Sequence, residues 1–178
     1  MHEGLPLVEP ELAWLQLAGE LSRDELVIAG DHLVRRKRPL STLDRLENCV
    51  ESAAGARGIR LARAAVCLVR RGTDSPPETW LRLLLLNAGL PEPLVGFTVH
   101  HQGYFVGTPD LAYPDEKIAI EYQGGGHRDA DVFDEDVDRL ERFHDAGWLV
   151  IQVTKSARRD PERLIARVAW HLKSRAQR

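Results

Sequence analysis

The sequence predicts an α/β domain, a mixed four-stranded sheet flanked by helices, preceded by an N-terminal helical segment. Residues 10–70 carry apolar residues at the spacing of amphipathic helices. Strand-like stretches follow at 94–107, 108–114 and 117–123, and a polar helix separates them from the apolar stretch 148–154. Helices and strands that alternate in this way form layered α/β folds.

The N-terminal helical segment is assigned to residues 1–72. PELAWLQLAGEL and SRDELVIAGDHLVRR have i, i+3, i+4 apolar spacing, and Ser22 or Ser41 is suited to cap a helix. The stretch RRGTDSPP at 70–77 has the composition of a linker. We therefore expect a second domain over residues 73–178.

The second domain begins with the helix TWLRLLLLNAGL, which Ser75 opens and Gly89 closes. KIAIEYQ at 117–123 is the clearest strand, because apolar residues alternate with a face that carries Glu121 and Gln123. WLVIQVT at 148–154 is apolar enough to predict a strand buried on both faces.

Two helices complete the domain. The acidic helix DADVFDEDVDRLERFHDAG precedes the last strand, and Asp160-Pro161 predicts the start of a final helix. Trp148 and Trp170 are expected in the core. The predicted apolar stripe of the acidic helix consists of Val132, Val137, Leu140 and Phe143.

Composition and charge narrow the class of protein. The chain is 43% hydrophobic and 29% charged, as in ordinary globular proteins. No apolar run reaches the roughly 18–20 residues that cross a bilayer, and acids stand where a signal peptide has bases. We expect a cytoplasmic protein that does not engage membranes and whose Cys49 and Cys67 remain buried thiols.

The net charge of −3 is unevenly distributed. Residues 1–72 sum to +1, residues 73–154 to −10 and residues 155–178 to +6. An acidic middle beside a basic tail suits a cation site flanked by a surface that attracts phosphate.

Two carboxylates are predicted to meet in the middle of the second domain. If the hairpin turns through 114–117 with Tyr113 opposite Ile118, Asp110 lies opposite Glu121 on one face. Two like charges at this spacing are destabilising unless a positive charge lies between them, and Mg²⁺ prefers such oxygen ligands. A solvated hairpin edge with two incidental acids is the alternative.

The segment TPDLAYPDEKIAIEYQGGGH resembles the PD-(D/E)XK nuclease superfamily, together with SPPETWLRLLLLNAGLPEP before it and DRLERFHDAGWLVIQVT after it. More narrowly, it resembles a branch of unknown function related to very-short-patch-repair endonucleases. The resemblance covers about residues 73–172. The helical segment before it is similar to what precedes this domain in some bacterial, notably actinobacterial, relatives.

The resemblance implies a restriction-endonuclease-like fold and hydrolysis of DNA phosphodiester bonds with Mg²⁺ or Mn²⁺. It implies that Asp110 and Glu121 are catalytic metal ligands and that Glu78 completes the metal site. Glu78 also fits a capping box with Ser75, and both roles remain open.

Gln123 departs from the family pattern, because it stands where the motif has a catalytic Lys. A glutamine can orient water or donate to a phosphate oxygen but supplies no charge. Lys155 is the most plausible substitute for that positive charge. His127, after three glycines, is a candidate general base, phosphate ligand or metal ligand, with polar surface as the alternative.

Basic residues near the C-terminus are candidate contacts to the DNA backbone. They are Lys155, Arg158, Arg159, Arg163, Arg167 and Lys173, with the run RRKR at 35–38 as a further candidate. Solvated surface is the alternative for any single one of them.

The leading hypothesis is a Mg²⁺-dependent DNA endonuclease that acts in defence or repair. The second is an inactive DNA-binding module of the same fold in a defence or toxin–antitoxin system. A third is an oligomeric structural protein whose N-terminal helices pair. Whether a nuclease would act as a homodimer that cuts both strands is left open.

Overall fold

The structure is a computed structural model that describes residues 7–123 and 130–177, without the side chains of 130–136. It contains N-terminal helices followed by a four-stranded mixed sheet flanked by helices, as predicted. The chain divides into two compact units, 1–80 and 81–178. The domain boundary expected at 72/73 stays a prediction.

The first unit is helical, as the apolar spacing predicted. Ser22 caps the second helix through a capping box with Glu25, whose Oε2 accepts from the Ser22 backbone N–H at 2.9 Å. The next helix is capped by Thr42, whereas the Ser41 hydroxyl bonds the buried Glu11. The helices are α1 Pro10–Leu17, α2 Arg23–Leu33, α3 Leu43–Ser52 and α4 Ile59–Val66.

The core of the first unit contains a buried carboxylate. Asp31 accepts from the Arg70 backbone N–H at 2.7 Å and from the Thr79 hydroxyl at 2.9 Å. A buried carboxylate needs such hydrogen-bond partners. The bonds also tie α2 to the segment that follows α4. The next helix, α5, spans Pro76–Asn87 and is followed by Gly89 at φ 78°.

The strands of the second unit are β1 Leu94–Val95, β2 Val99–His101, β3 Tyr104–Gly107, β4 Leu111–Tyr113, β5 Ile118–Gln123 and β6 Leu149–Thr154. Its four-stranded sheet has the strand order β1-β4-β5-β6. β1 and β4 are antiparallel, β4 and β5 form an antiparallel hairpin, and β5 and β6 are parallel.

The stretch predicted as one strand at 94–107 is three short strands. β2 Val99–His101 and β3 Tyr104–Gly107 form a separate hairpin, and β1 alone joins the sheet. Positive φ angles explain the breaks, at Gly96 after β1 and at Gln102 and Gly103 in the hairpin turn.

The last strand is less buried than predicted. β6 lies at the edge of the sheet, and its Gln152 and Thr154 are exposed. The expectation of burial on both faces is therefore wrong for the second half of this strand, because no further strand or helix covers those two side chains among the described residues.

Two long helices flank the sheet, α6 Ala130–Asp145 and α7 Pro161–Arg175, and a 3₁₀ turn spans Lys155–Arg158. Asp160 caps α7 by accepting from the Arg163 backbone N–H at 3.1 Å, as predicted. Trp148 is buried as expected, but Trp170 is 65% exposed, so its assignment to the core is wrong. α7 buries other residues: Leu164, Val168 and Leu172.

Two further expectations concern the cysteines and membranes. Cys49 and Cys67 are both free thiols, as predicted, but the expected burial is wrong, because Cys49 is only partly buried and Cys67 is exposed. Of the helices in the described ranges, none combines the length and the apolar character that a bilayer span requires.

Candidate functional site

The hairpin register that the site requires is confirmed. Tyr113 pairs with Ile118, and Leu111 pairs with Ile120. One step beyond that ladder, Asp110 lies across from Glu121, with Cβ atoms expected roughly 4.5–5.5 Å apart. Alternation along the strands places both acids on one face of the sheet.

Asp110 is half-buried at the start of β4. Its Oδ2 accepts a hydrogen bond from the Tyr122 backbone N–H at 2.7 Å. The carboxylate thus continues the hairpin ladder where the β4 backbone pairing ends. The bond fixes Asp110 against β5, next to Glu121.

Glu121 is a buried carboxylate with 5% of its surface exposed. Its described ionic partner is Arg139 on α6. The Arg139 Nη1 donates to Glu121 Oε2 at 3.2 Å. Arg139 Nη2 lies 2.6 Å from Oε1, an ion pair outside hydrogen-bond angles. Arg139 therefore places a positive charge at Glu121, one of the two opposed acids.

Two further contacts hold the Arg139 side chain. Its Nη2 donates to the Thr108 carbonyl at 3.3 Å, and its guanidinium carbon lies 5.8 Å from the centre of the Phe143 ring. A Cβ placed on Gly107 would lie 3.5 Å from Arg139 Nε, so this glycine leaves room for the side chain.

Sequence reasoning missed Arg139. The predicted stripe pointed Val137 at the core, but Val137 is 38% exposed, whereas Phe143 and Ala146 are buried. Arg139 precedes Phe143 by one helical turn and so lies on the same side of α6. A basic residue at i−4 from the most apolar position of an acidic helix was the signal available.

Gln123 is half-buried at the end of β5, on the face that carries Glu121. It pairs in parallel register with Thr154. Lys155, the proposed substitute for the motif lysine, follows Thr154 and is exposed. The structure thus brings Gln123 and the backbone of Lys155 to one end of the sheet. His127 lies outside the described residues.

Glu78 belongs to the first unit, at the start of α5. Its Oε1 accepts from the Ser75 hydroxyl at 2.7 Å, and its Oε2 accepts from the Asp74 backbone N–H at 2.8 Å. These bonds tie Glu78 to the segment before α5, but the backbone N–H belongs to Asp74, whereas a capping box would use that of Ser75. They account for both carboxylate oxygens, and the metal-binding role of Glu78 stays a prediction.

Three of the four predicted DNA-contacting arginines line a cleft between the end of β6, the 3₁₀ turn and the start of α7. The cleft has a volume of about 620 Å³. Arg159, Arg163 and Arg167 line it together with the hydroxyls of Thr154 and Ser156. Asp160 also lines it but caps α7. Three guanidinium groups beside hydroxyl donors form a surface that suits phosphate oxygens.

The other basic candidates have different surroundings. Arg158 and Lys173 are exposed on the second unit. Within the first unit, Arg36 forms an ion pair with Asp74, and Lys37 lies 3.9 Å from the same carboxylate. The run 35–38 is therefore partly neutralised by an acid of its own unit.

The two acids are suitable ligands for a hard divalent cation, but Arg139 already contacts one of them. Asp110 and Glu121 supply carboxylates on one face, and Mg²⁺ is commonly held by one or two carboxylates plus water. No group of three or more His, Cys, Asp or Glu side chains suited to a metal occurs within the described ranges. Arg139 contacts both oxygens of Glu121, so a cation bound by this carboxylate would lie beside the guanidinium group.

Two Mycobacterium tuberculosis proteins are similar to this chain, Uncharacterized protein Rv2248 of strain H37Rv and Uncharacterized protein MT2308 of strain CDC 1551. Each is 32% identical over 152 residues, which cover 78% of this chain and 56% of the relative. The chain thus spans about half the length of these curated relatives. No family model matches the chain, and no solved structure matches it significantly.

Proposed function

We propose that the chain is a metal-dependent endonuclease that hydrolyses DNA phosphodiester bonds in the bacterial cytoplasm, in defence or repair. Its second unit would be a restriction-endonuclease-like core of the PD-(D/E)XK superfamily, in the branch related to very-short-patch-repair endonucleases. The observation that carries the proposal is the hairpin register, which sets Asp110 across from the buried Glu121. A sheet flanked by helices on which two opposed acids share a face is the arrangement that the resemblance implies.

Asp110 and Glu121 would hold Mg²⁺ or Mn²⁺. When bound, such an ion lowers the pKa of a water molecule and polarises a phosphoryl oxygen. Gln123, on the same face, would orient the attacking water through its amide, which can both donate and accept. His127, Glu78 and Lys155 remain candidates to assist, as proton acceptor, third carboxylate and positive charge respectively.

The arginine-lined cleft would hold the DNA backbone. Arg159, Arg163 and Arg167 are exposed and face a cavity at the end of β6, the strand that neighbours Glu121. Gln152 lines the same cleft and pairs in register with Glu121. The cleft therefore adjoins the strand next to Glu121, while the three arginines themselves lie after the 3₁₀ turn and on α7. Binding through phosphates should weaken steeply with salt.

The test is incubation of the full chain with supercoiled plasmid and Mg²⁺ or Mn²⁺. Asp110→Asn is the informative variant, because the amide oxygen can still accept the Tyr122 N–H while the charge is lost. We expect a rate loss of about 100-fold or more for this variant and for EDTA-treated wild type. Asp115→Asn, an exposed acid in the turn of the same hairpin, is the matched control and should retain full activity.

A DNA-binding module without turnover is the second candidate. Two observations favour it: Gln123 carries no charge, and Arg139 engages Glu121. A plasmid that shifts on a gel without being cut under any metal condition would select this function. Nicking by wild type that Asp110→Asn abolishes would exclude it.

A further inference from the structure

The ion pair between Arg139 and Glu121 occupies the carboxylate that the proposed metal would require. Both guanidinium nitrogens of Arg139 approach Glu121, at 3.2 Å to Oε2 and 2.6 Å to Oε1. Glu121 is 5% exposed, and a carboxylate with so little contact with water needs a positive partner to remain charged. Arg139 provides that charge without any ion.

Arg139 is placed to hold this position and also to leave it. The Thr108 carbonyl and the Phe143 ring orient the guanidinium from the protein side. One third of the Arg139 side chain is nevertheless exposed, at 33%. It therefore has a solvent-facing route by which the guanidinium can withdraw from Glu121 while the carboxylate stays buried.

We infer that Arg139 is the resident cation of this site and competes with divalent metal for Glu121. The inference rests on the metal site of the proposed function. An ion held by Glu121 would stand beside the guanidinium, and two positive charges at such separation repel each other in a poorly solvated site. Arg139 must then withdraw, and the free energy of its contacts lowers the apparent metal affinity.

Removing Arg139 should change the metal affinity in opposite directions, depending on whether Arg139 competes with the metal or only supports the site. If Arg139 only supported the site, its removal would loosen Glu121 and weaken metal binding. If it competes, its removal takes a competing positive charge away from the buried Glu121, and metal binding becomes tighter. Coupling between two such ligands is reciprocal, so bound metal should also release Arg139 from Glu121.

The experiment is calorimetric titration of the full chain with Mn²⁺. We expect Arg139→Gln to lower the Kd for Mn²⁺ by about tenfold or more, within the usual range of coupling between sites. Arg139→Lys keeps one positive charge without the two-pronged geometry and should give a smaller decrease. Arg142→Gln, an exposed arginine of the same helix, is the control and should leave the Kd unchanged.

A second readout guards against a variant that folds poorly. Arg139→Gln should have a lower Tm than wild type in EDTA, and Mn²⁺ should raise its Tm more than that of wild type. The tightening should disappear when Glu121→Gln is added to Arg139→Gln, because the contested carboxylate is then gone. Should Arg139→Gln not fold, Arg139→Lys carries the test.

The outcomes separate this inference from the proposed function. Tighter Mn²⁺ binding by the Arg139 variants supports competition, even if wild type cuts no DNA. Unchanged or weaker Mn²⁺ binding by folded variants overturns the competition. If wild type still nicks DNA in a metal-dependent way, the proposed nuclease function is retained. If neither wild type nor any variant binds Mn²⁺, both the competition and the metal-dependent nuclease fail.

Discussion

Gly107 leaves the space into which α6 packs, and replacing it tests how tightly that helix is held. A Cβ at this position would lie 2.9 Å from Phe143 Cε2 and 3.0 Å from Cζ. The Phe143 ring is fully buried and packs edge-on against Trp148 at a centroid distance of 6.3 Å, so it has little freedom to withdraw. Gly107→Ala therefore overpacks the core of the second unit.

The expected loss follows from two opposing effects. Overpacking a well-filled core costs about 1–3 kcal/mol. The lower flexibility of alanine in the unfolded chain returns about 0.4–1 kcal/mol. We expect Gly107→Ala to lower the free energy of unfolding by about 1–2 kcal/mol, measured by urea unfolding at equilibrium.

Two further variants make the measurement specific. Gly19→Ala would have the exposed side chain of Arg57 as its nearest neighbour, at 3.2 Å to Nε, and should change stability by less than about 0.5 kcal/mol. Gly107→Ala combined with Phe143→Leu should lose less than the sum of the single variants, because leucine vacates the contested space. A Gly107→Ala protein as stable as wild type, or strictly additive losses, would refute this account of the packing.

Two other predictions concern stability. Gly58→Ala should lower the free energy of unfolding, measured by thermal unfolding, by at least about 2 kcal/mol, because φ is 78° and the new Cβ would lie 2.4 Å from the Ala18 carbonyl oxygen. Gly55→Ala is the control: φ is 86° there but nothing lies within 4 Å of the new Cβ, so the loss should be only about 1 kcal/mol. Burial, with a smaller contribution from Glu116, raises the pKa of Tyr113 above its ordinary 10. The unfolded chain therefore loses this proton at a lower pH than the folded protein, so the contribution of Tyr113 to the free energy of unfolding is fully present below pH 10 and falls as the pH rises beyond it. Urea unfolding from about pH 9 to 11 should show this fall, and Tyr113→Phe should reduce it; an equal fall in both proteins would contradict the assignment.

The hairpin that carries the acids was predictable because its signals are local. Alternation in β5 fixes which side chains share the face of Glu121, and the turn before Ile118 fixes the register with Tyr113. The helix caps at Ser22 and Asp160 were predictable for the same reason, since each depends on residues within one turn.

Features set by distant parts of the chain were not predictable. An apolar run such as β6 has the same sequence pattern at a sheet edge as at its centre, so the exposure of Gln152 could not be read from it. Arg139 was missed because apolar periodicity selects the side of a helix by its hydrophobic residues. A charged residue that faces the core is identified only when its partner, here Glu121, is placed opposite it.

The connections of the sheet determine the order in which the charges of the site can meet during folding. Four residues separate β4 from β5, whereas β6 joins β5 only after residues 124–148, which include all of α6. Closing the shorter loop costs less entropy, so the hairpin is expected to form first. Asp110 and Glu121 would then face each other in a partly solvated intermediate before Arg139 arrives. Docking of α6 would bring in Arg139 and reduce that repulsion. The same contact between Arg139 and Glu121 that we infer to oppose metal binding in the folded protein would therefore favour the last step of folding.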